Sequence, residues 1–368
     1  MTADDKRLRA LADAVILIPS LEPDERLPAY AEELLKCGFG HLVIVDDGSA
    51  ESYQPIFERI AGMEHTTVLH HDVNHGKGVA LKTGYAWIAE NLPACSGVIT
   101  ADADGQHTVE DCCRLAEKLA EGKRALYLGS RDFSLDNVPP KSRAGNRSTS
   151  AIFFLLYGKW LPDTQTGLRA FRREDLQFMT EVEGERFEYE MNVLIDCART
   201  GLDMIPVTIE TVYENDNSGS HYHPLKDSWR ILKVILKGFV KFMGASLLCF
   251  LIDQGIFNLM NLAVFRNGDV KNGGIILLST VIARVISATC NFLINKEFVF
   301  RQKEHSGRAF LRYAVLCVGI MLTSALCVYL LGLTGISSTV AKLIVDFLLY
   351  FVSYRVQQNW VFREGDGK

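Results

Sequence analysis

The pattern of apolar and polar positions changes near residue 235. Before it, short apolar runs rich in β-branched residues lie at 15–18, 42–45, 67–69, 98–100 and 125–128. Segments with helical spacing fill 25–36, 52–60, 77–91 and 109–121 between them. Short apolar runs bounded by polar turns read as buried strands, and their alternation with helices predicts a mostly parallel sheet covered on both faces. After residue 235 come four apolar stretches, 242–265, 275–294, 310–331 and 336–356, none broken by proline. Each has about 20 residues, the length a helix needs to cross roughly 30 Å of hydrocarbon. The expected architecture is an α/β domain over 1–235, an amphipathic juxtamembrane helix over 224–241 and an all-α four-helix membrane domain over 238–363. The amphipathic stretch either lies on an anionic leaflet or simply connects the domains.

Charge supports the membrane reading and gives it a direction. The segment between the second and third stretches holds Lys296, Arg301, Lys303, Arg308 and Arg312, and Arg230, Lys233, Lys237 and Lys241 precede the first. Arg355 and Arg363 close the fourth, whereas the other two loops carry only Arg266 and Lys271, or no basic residue. By the positive-inside rule both termini and the α/β domain face the cytoplasm of an inner membrane. The first residues are charged and lack a signal peptide's apolar core. The nine cysteines form no CxxC pair and no zinc-like cluster, which fits a reduced compartment. A net charge of −5 without a long basic tract excludes a nucleic-acid partner.

Four ionisable residues interrupt the apolar stretches: Asp253, Arg284, Lys342 and Asp346. Unpaired, each would cost several kcal/mol in hydrocarbon. They form either a polar path for a lipid headgroup or structural ion pairs. The segment Phe292-Leu-Ile-Asn-Lys-Glu-Phe-Val-Phe-Arg301 matches Tyr354-Arg-Val-Gln-Gln-Asn-Trp-Val-Phe-Arg363, and Lys241-Phe242 parallels Arg312-Tyr313, which predicts two duplicated helical hairpins. This half, with Lys241-Phe-Met-Gly and Asp253, resembles the GtrA-like four-helix membrane proteins.

In the first half, candidate chemistry gathers where strands end. Ile18-Pro19-Ser20 ends the first strand and Asp46-Asp47-Gly48-Ser49 the second; Asn74-His75-Gly76-Lys77-Gly78 opens the helix after the third. Asp102-Ala103-Asp104-Gly105-Gln106-His107 follows the fourth strand, and Gly129-Ser130-Arg131 ends the fifth. Ligands of parallel sheets bind beyond these carboxyl ends. Two carboxylates two residues apart on an extended segment suit Mg²⁺ or Mn²⁺ bridged to a diphosphate. Lys77 at a glycine-flanked helix start suits phosphate, although no P-loop or GxGxxG is present. Asp46 suits a base or ribose.

The order of these clusters is similar to family 2 glycosyltransferases, and more narrowly to the dolichyl- and polyprenyl-phosphate sugar synthases. Asp163-Thr-Gln-Thr-Gly-Leu-Arg169-Ala-Phe171, Phe187-Glu188-Tyr-Glu190 and Tyr213-Glu-Asn-Asp-Asn-Ser-Gly-Ser-His221 extend the likeness over residues 13–235. The resemblance implies a GT-A fold and an inverting, metal-dependent transfer from a UDP- or GDP-linked sugar to a polyprenyl phosphate. Carried onto this sequence, it gives Pro19, Asp24, Asp46, Asp47, Lys77 and Asp102 to the donor; Asp102, Asp104 and Gln106 to the metal; and Asp104 and Asp163 to catalysis. Arg131, Arg143, Arg169 and His221, with Arg147 behind them, are the candidates for the acceptor phosphate, each equally readable as a structural charge. Asp163 orients the acceptor loop, acts as a base toward a hydroxyl, or caps the backbone. Ser20-Leu-Glu22-Pro-Asp24 departs from the relatives' Asn-Glu-Glu, so the role of Asp24 is the least secured. The Gln-x-x-Arg-Trp motif of processive synthases is absent, which favours a single transfer. A flippase of the lipid-linked sugar and a membrane scaffold are the competing readings of the four-helix half, and self-association remains open.

Overall fold

The computed structural model describes residues 2–135, 138–210, 224–260, 273–300 and 306–362. His221, the Tyr213–His221 motif, Arg266, Lys271, Arg301, Lys303 and Arg363 lie outside the described residues. The chain divides into two units, Met1–Ile235 and Leu236–Lys368.

The first unit runs α1 (Ala3–Ala12), β1 (Ala14–Ser20), α2 (Arg26–Cys37), β2 (His41–Asp46), α3 (Gln54–Ala61), β3 (Thr66–His70), α4 (Lys77–Asn91), β4 (Gly97–Thr100) and α5 (Val109–Ala120). It continues with β5 (Ala125–Arg131), α6 (Pro140–Tyr157), β6 (Arg169–Arg172), α7 (Leu176–Glu181), α8 (Glu188–Thr200) and β7 (Asp203–Ile209). The sheet order is β3-β2-β1-β4-β6-β5-β7. All pairs are parallel except those of β6, which is antiparallel to β4 and to β5.

Strand β1 is buried over all seven residues, as a central parallel strand must be. Alternate side chains serve opposite layers: Ala14, Ile16 and Ile18 join Leu27 and Leu34 of α2, Phe57 of α3 and Leu115 of α5 in one core. On the other face Phe171 of β6 meets Tyr85 of α4 edge-on, with ring centroids 5.2 Å apart. Because β1 and β4 are neighbours while β2 and β6 lead away on either side, their carboxyl ends open a crevice at the reversal of strand order.

The second unit contains the remainder of α9 (Pro224–Leu259), then α10 (Gly273–Ile294), α11 (Ser306–Gly332) and α12 (Ser338–Val356). The stretch 224–241 and the first apolar run form one continuous helix, α9, rather than two elements. Among the described residues three helical stretches are long and apolar enough to cross a membrane: Ile231–Leu259, Ile276–Val299 and Gly307–Gly332. Helix α12 is the fourth expected span, but Lys342, Asp346 and Arg355 fall within its 19 residues. Side chains such as Leu247, Leu277, Met321 and Leu343 are more than half exposed, a surface suited to lipid tails.

The duplication is visible in the backbone. α10 and α12 each run into a five-residue π-helical turn, Asn295–Val299 and Gln357–Val361. Asn295 Nδ2 donates to Gln357 Oε1 at 3.0 Å, joining equivalent residues 62 apart in the chain. Phe300 stacks on its own equivalent, Phe362, at 5.0 Å. Phe292 meets Phe362 at 5.6 Å and Phe300 meets Tyr354 at 5.8 Å, so the contacts are reciprocal. Reciprocity of that kind defines a local twofold axis, here within one chain.

The intramembrane charges are paired. Asp253 accepts from Ser287 Oγ at 3.0 Å, with Arg284 Nε 3.7 Å away. Asp346 accepts from Ser324 Oγ at 2.7 Å and from Lys342 Nζ at 2.9 Å. By the repeat, Asp253 corresponds to Ser324 and Arg284 to Asp346, so the same two positions of each helical pair carry the polar contact.

Phe171 is 1% exposed and anchors the antiparallel strand on α4. Phe171→Ala should cost about 3–5 kcal/mol of stability and Phe171→Leu clearly less, measured by denaturant unfolding of the detergent-solubilised protein.

Candidate active site

The polar clusters meet at the crevice, but not with the partners that their chemistry alone would assign. Asp46 is 1% exposed, and both its oxygens are occupied. Ser49 N donates to Oδ1 at 2.9 Å, while Gln54 Nε2 and His70 Nδ1 reach Oδ2 at 3.1 and 3.0 Å. Burial pushes the Asp46 carboxyl up, yet the bonds from Ser49, His70 and Gln54 outweigh it and hold the pKa below its ordinary value.

Asp47 is likewise consumed within the chain. Its oxygens accept from His75 N at 3.0 Å and Gly76 N at 2.7 Å, and His71 Nδ1 lies 2.8 Å away. Asp47 is therefore the anion at the start of α4, the place where the sequence pattern pointed to a donor phosphate. Gly76, at φ +103°, is required there, because a Cβ would stand 2.7 Å from the Glu185 carbonyl. The glycines around Lys77 thus serve close packing against the segment before α8.

Lys77 opens α4, and its side chain is largely buried between two acids. Nζ lies 2.6 Å from Asp102 Oδ1 and 2.9 Å from Glu190 Oε1. Burial alone would lower the ammonium's pKa; the two carboxylates outweigh it and raise the pKa. Glu190 belongs to the Phe187–Glu190 motif, but its sequence gives no sign that it faces Lys77.

Asp102 lies two residues past the end of β4. Its backbone N–H donates to His107 Nδ1 at 3.1 Å, which leaves the proton on Nε2, 4.0 Å from Asp102 Oδ2. A Cβ at position 167 would come 2.4 Å from Oδ2, so only Gly167 leaves room for this carboxylate. Burial raises the Asp102 pKa, but Lys77, His107 and Arg169 bring it down to about 2. Asp104 moves the other way: burial, then the Asp102 charge, raises its pKa. Gln106 N donates to its Oδ1 at 3.1 Å. Asp104 and Gln106 are half-buried, neither sealed in nor fully solvated. Two oxygen donors that repel each other, one already ionised and the other reluctant, fit a hard divalent cation.

The remaining candidates are spread out. Pro19 is buried in β1. Asp24 is exposed and bonds Arg26, its neighbour in sequence, through Oδ1 and Oδ2 at 2.9–3.0 Å. Asp163, fully buried, holds Arg131 in a two-pronged bond, with Nε to Oδ2 at 2.7 Å and Nη2 to Oδ1 at 3.2 Å, and also accepts from Gln165 N. Arg169 is 5% exposed and donates inward to the carbonyls of Thr166 and Glu190. That placement makes Arg169 a strut beneath the site rather than a surface for lipid. Arg143 donates to the Leu135 carbonyl at 2.8 Å; Arg143 and Arg147, four apart, share an exposed face of α6.

Residues 33–179 match the family described as glycosyl transferase family 2, and residues 241–362 match the GtrA/DPMS transmembrane domain. An uncharacterized protein of Methanocaldococcus jannaschii is 30% identical over 202 residues, 54% of this chain and 81% of its own length. The chain belongs to glycosyltransferase family 2. UDP-N-acetylglucosamine–dolichyl-phosphate N-acetylglucosaminyltransferase of Methanococcus voltae is 27% identical over 222 residues, 55% of this chain and 88% of that protein. Polyprenol monophosphomannose synthase of Mycolicibacterium smegmatis is 24% identical over 214 residues, 56% of this chain and 80% of that protein. The protein is thus a family 2 glycosyltransferase built together with a GtrA-like membrane unit.

Removing Arg131 would leave the buried Asp163 carboxyl without its two-pronged partner. Arg131→Ala should destabilise the enzyme by about 3–5 kcal/mol, and Arg131→Lys should recover only part of that. Thermal unfolding at neutral pH reads both. The two loop acids differ in their pH behaviour. Asp102, depressed to about 2, stabilises the fold fully above the ordinary carboxylate value and ceases to as pH falls toward 2. Asp104, raised, opposes folding once it ionises. Asp104→Asn should therefore melt at a higher temperature than the unsubstituted enzyme at pH 7 in chelator, and the difference should vanish near pH 3.

Proposed function

We propose that this enzyme transfers one sugar from a nucleoside-diphosphate sugar, UDP- or GDP-linked, to the phosphate of a polyprenyl lipid such as undecaprenyl or dolichyl phosphate. The observation that carries the reading is the pairing, in one chain, of a family 2 unit whose Asp102–Asp104 loop ends a central strand with a membrane unit of the GtrA/DPMS type. The names of the Methanococcus voltae and Mycolicibacterium smegmatis relatives, both transferases to lipid phosphates, support the acceptor class. The product is a lipid-linked monosaccharide for cell-envelope glycan or glycoconjugate synthesis.

Asp102, Asp104 and Gln106 are the residues that would hold Mg²⁺ or Mn²⁺. When bound, such an ion neutralises charge on the departing nucleoside diphosphate. Lys77 adds an ammonium beside the same group. The lipid phosphate is largely ionised near neutral pH and needs positioning and charge compensation rather than a strong base. Arg143 and Arg147, on the exposed face of α6, are suited to that task through guanidinium–phosphate forks. Asp163, bound to Arg131, fits a role in fixing its loop. A phosphate oxygen forms the new bond to the anomeric carbon as the carbon–oxygen bond to the diphosphate breaks, and the electron pair leaves with the nucleotide. A single displacement of this kind inverts the anomeric centre. The distribution of Lys and Arg around the apolar stretches supports a cytoplasmic catalytic unit.

Purified enzyme with undecaprenyl phosphate, Mg²⁺ or Mn²⁺ and a panel of UDP- and GDP-sugars should yield a glycolipid of one added sugar by mass spectrometry. Its anomeric configuration, read by NMR, should be opposite to that of the donor. Asp104→Asn should lower the rate by about a hundredfold or more. Retained configuration, or no glycolipid with any donor, would sink the reading.

A further inference from the structure

Lys77 stands where a divalent ion would draw on the same carboxylate. Its ammonium is 2.6 Å from Asp102 Oδ1, and its other acid, Glu190, comes from a different element, α8, at 2.9 Å. Asp102 keeps a side-chain exposure of 29%, whereas Lys77 and Glu190 keep 17% and 14%, so the acid nearest the open crevice is the one that Lys77 shares. The second oxygen of Asp102 is hemmed in by Gly167 and faced by His107 Nε2 at 4.0 Å.

We propose that Lys77 is an exchangeable counter-cation: it neutralises Asp102 in the donor-free enzyme, and swings onto Glu190 and the donor's diphosphate when a divalent ion takes Asp102. Only side-chain motion is required, because the bond to Glu190 already exists. A dication on Asp102 and Asp104 would stand within a few ångströms of the ammonium in a half-buried site, where like charges repel strongly. The two cations therefore oppose each other until a diphosphate brings enough negative charge for both. Lys77 thereby makes metal binding conditional on the nucleotide, so the loop gathers its metal together with the donor and not before it.

The inference rests on the reading that Asp102 and Asp104 take a divalent ion, and it does not depend on the acceptor. The test is Mn²⁺ binding to the full-length protein in detergent, followed by electron paramagnetic resonance, with and without UDP or GDP. Without nucleotide, Lys77→Met should bind Mn²⁺ about tenfold tighter than the unsubstituted enzyme. With saturating nucleoside diphosphate that order should reverse. Glu190→Gln should weaken donor-free Mn²⁺ binding, because Lys77 loses its alternative partner, and it is an independent check if Lys77→Met fails to fold. Equal or weaker Mn²⁺ binding by Lys77→Met without nucleotide would overturn the proposal, as would a nucleotide effect of the same size in both proteins. Absence of Mn²⁺ binding under every condition would overturn it together with the metal reading. The predicted Mn²⁺ pattern without glycolipid formation would uphold it and count against the lipid acceptor alone.

Discussion

Parallel pairing of β1 with β2 and β4 is the constraint on which the site depends. Parallel strands deliver their carboxyl ends to one edge, so the turns carrying Ser20, Asp46, Asp47 and Asp102 have no choice but to gather there. The loop after β3 joins them because β3 is parallel to β2, and it brings Lys77 with it. The antiparallel strand β6 then closes the far side: its first residue, Arg169, pairs with Thr100, and the Thr100 hydroxyl donates to the Gly167 carbonyl at 2.8 Å. That short connection sets Gly167 against the Asp102 carboxylate.

The charges around this edge are arranged in two tiers. The lower tier is held internally: Asp46 by Ser49, Gln54 and His70, Asp47 by the α4 start, Asp163 by Arg131, and Arg169, through Nε and Nη1, by backbone carbonyls. These contacts convert acidic and basic side chains into fixed supports, which buried ions require. The upper tier, Asp102, Asp104, Gln106 and Lys77, retains contact with solvent, and its two acids differ in proton affinity, Asp102 lowered and Asp104 raised. The lower tier holds the geometry of the edge on which the upper tier stands.

Much of the fold could be read from the chain, and less of the site. β1, β2, β4 and β5 show as apolar runs because both their faces are covered, and β3, half-buried at the sheet edge, shows only through its central residues. β6, four residues reading Arg-Ala-Phe-Arg, has no such pattern, and its insertion between β4 and β5 is a long-range pairing invisible to local periodicity. β7 contains Pro206 and is only partly buried at the sheet edge, so its pattern is broken as well. The polar residues at the strand ends do gather at one edge of the sheet, but their partners did not follow from the residue types. The internal partners of Asp46 and Asp47 could not be read from the chain, because His70, His71 and the α4 start reach them only once β2 and β3 have paired. Glu190 and Gly167 matter through proximity to Lys77 and Asp102, a property of the fold and not of any spacing. In the membrane half the repeat was legible down to its aromatic residues, because duplication leaves a pattern that does not depend on contacts.

The local twofold axis restricts which side chains the repeat can keep. A residue on such an axis meets its own counterpart, so it must be able to bond with a copy of itself. An amide can, since it both donates and accepts, and an aromatic ring can by stacking; Asn295 with Gln357 and Phe300 with Phe362 are of these kinds. A charge cannot, because it would face its own sign. Away from the axis each position faces an unlike neighbour, and there the two halves have been free to diverge, as the exchange of Asp253 for Ser324 and of Arg284 for Asp346 records.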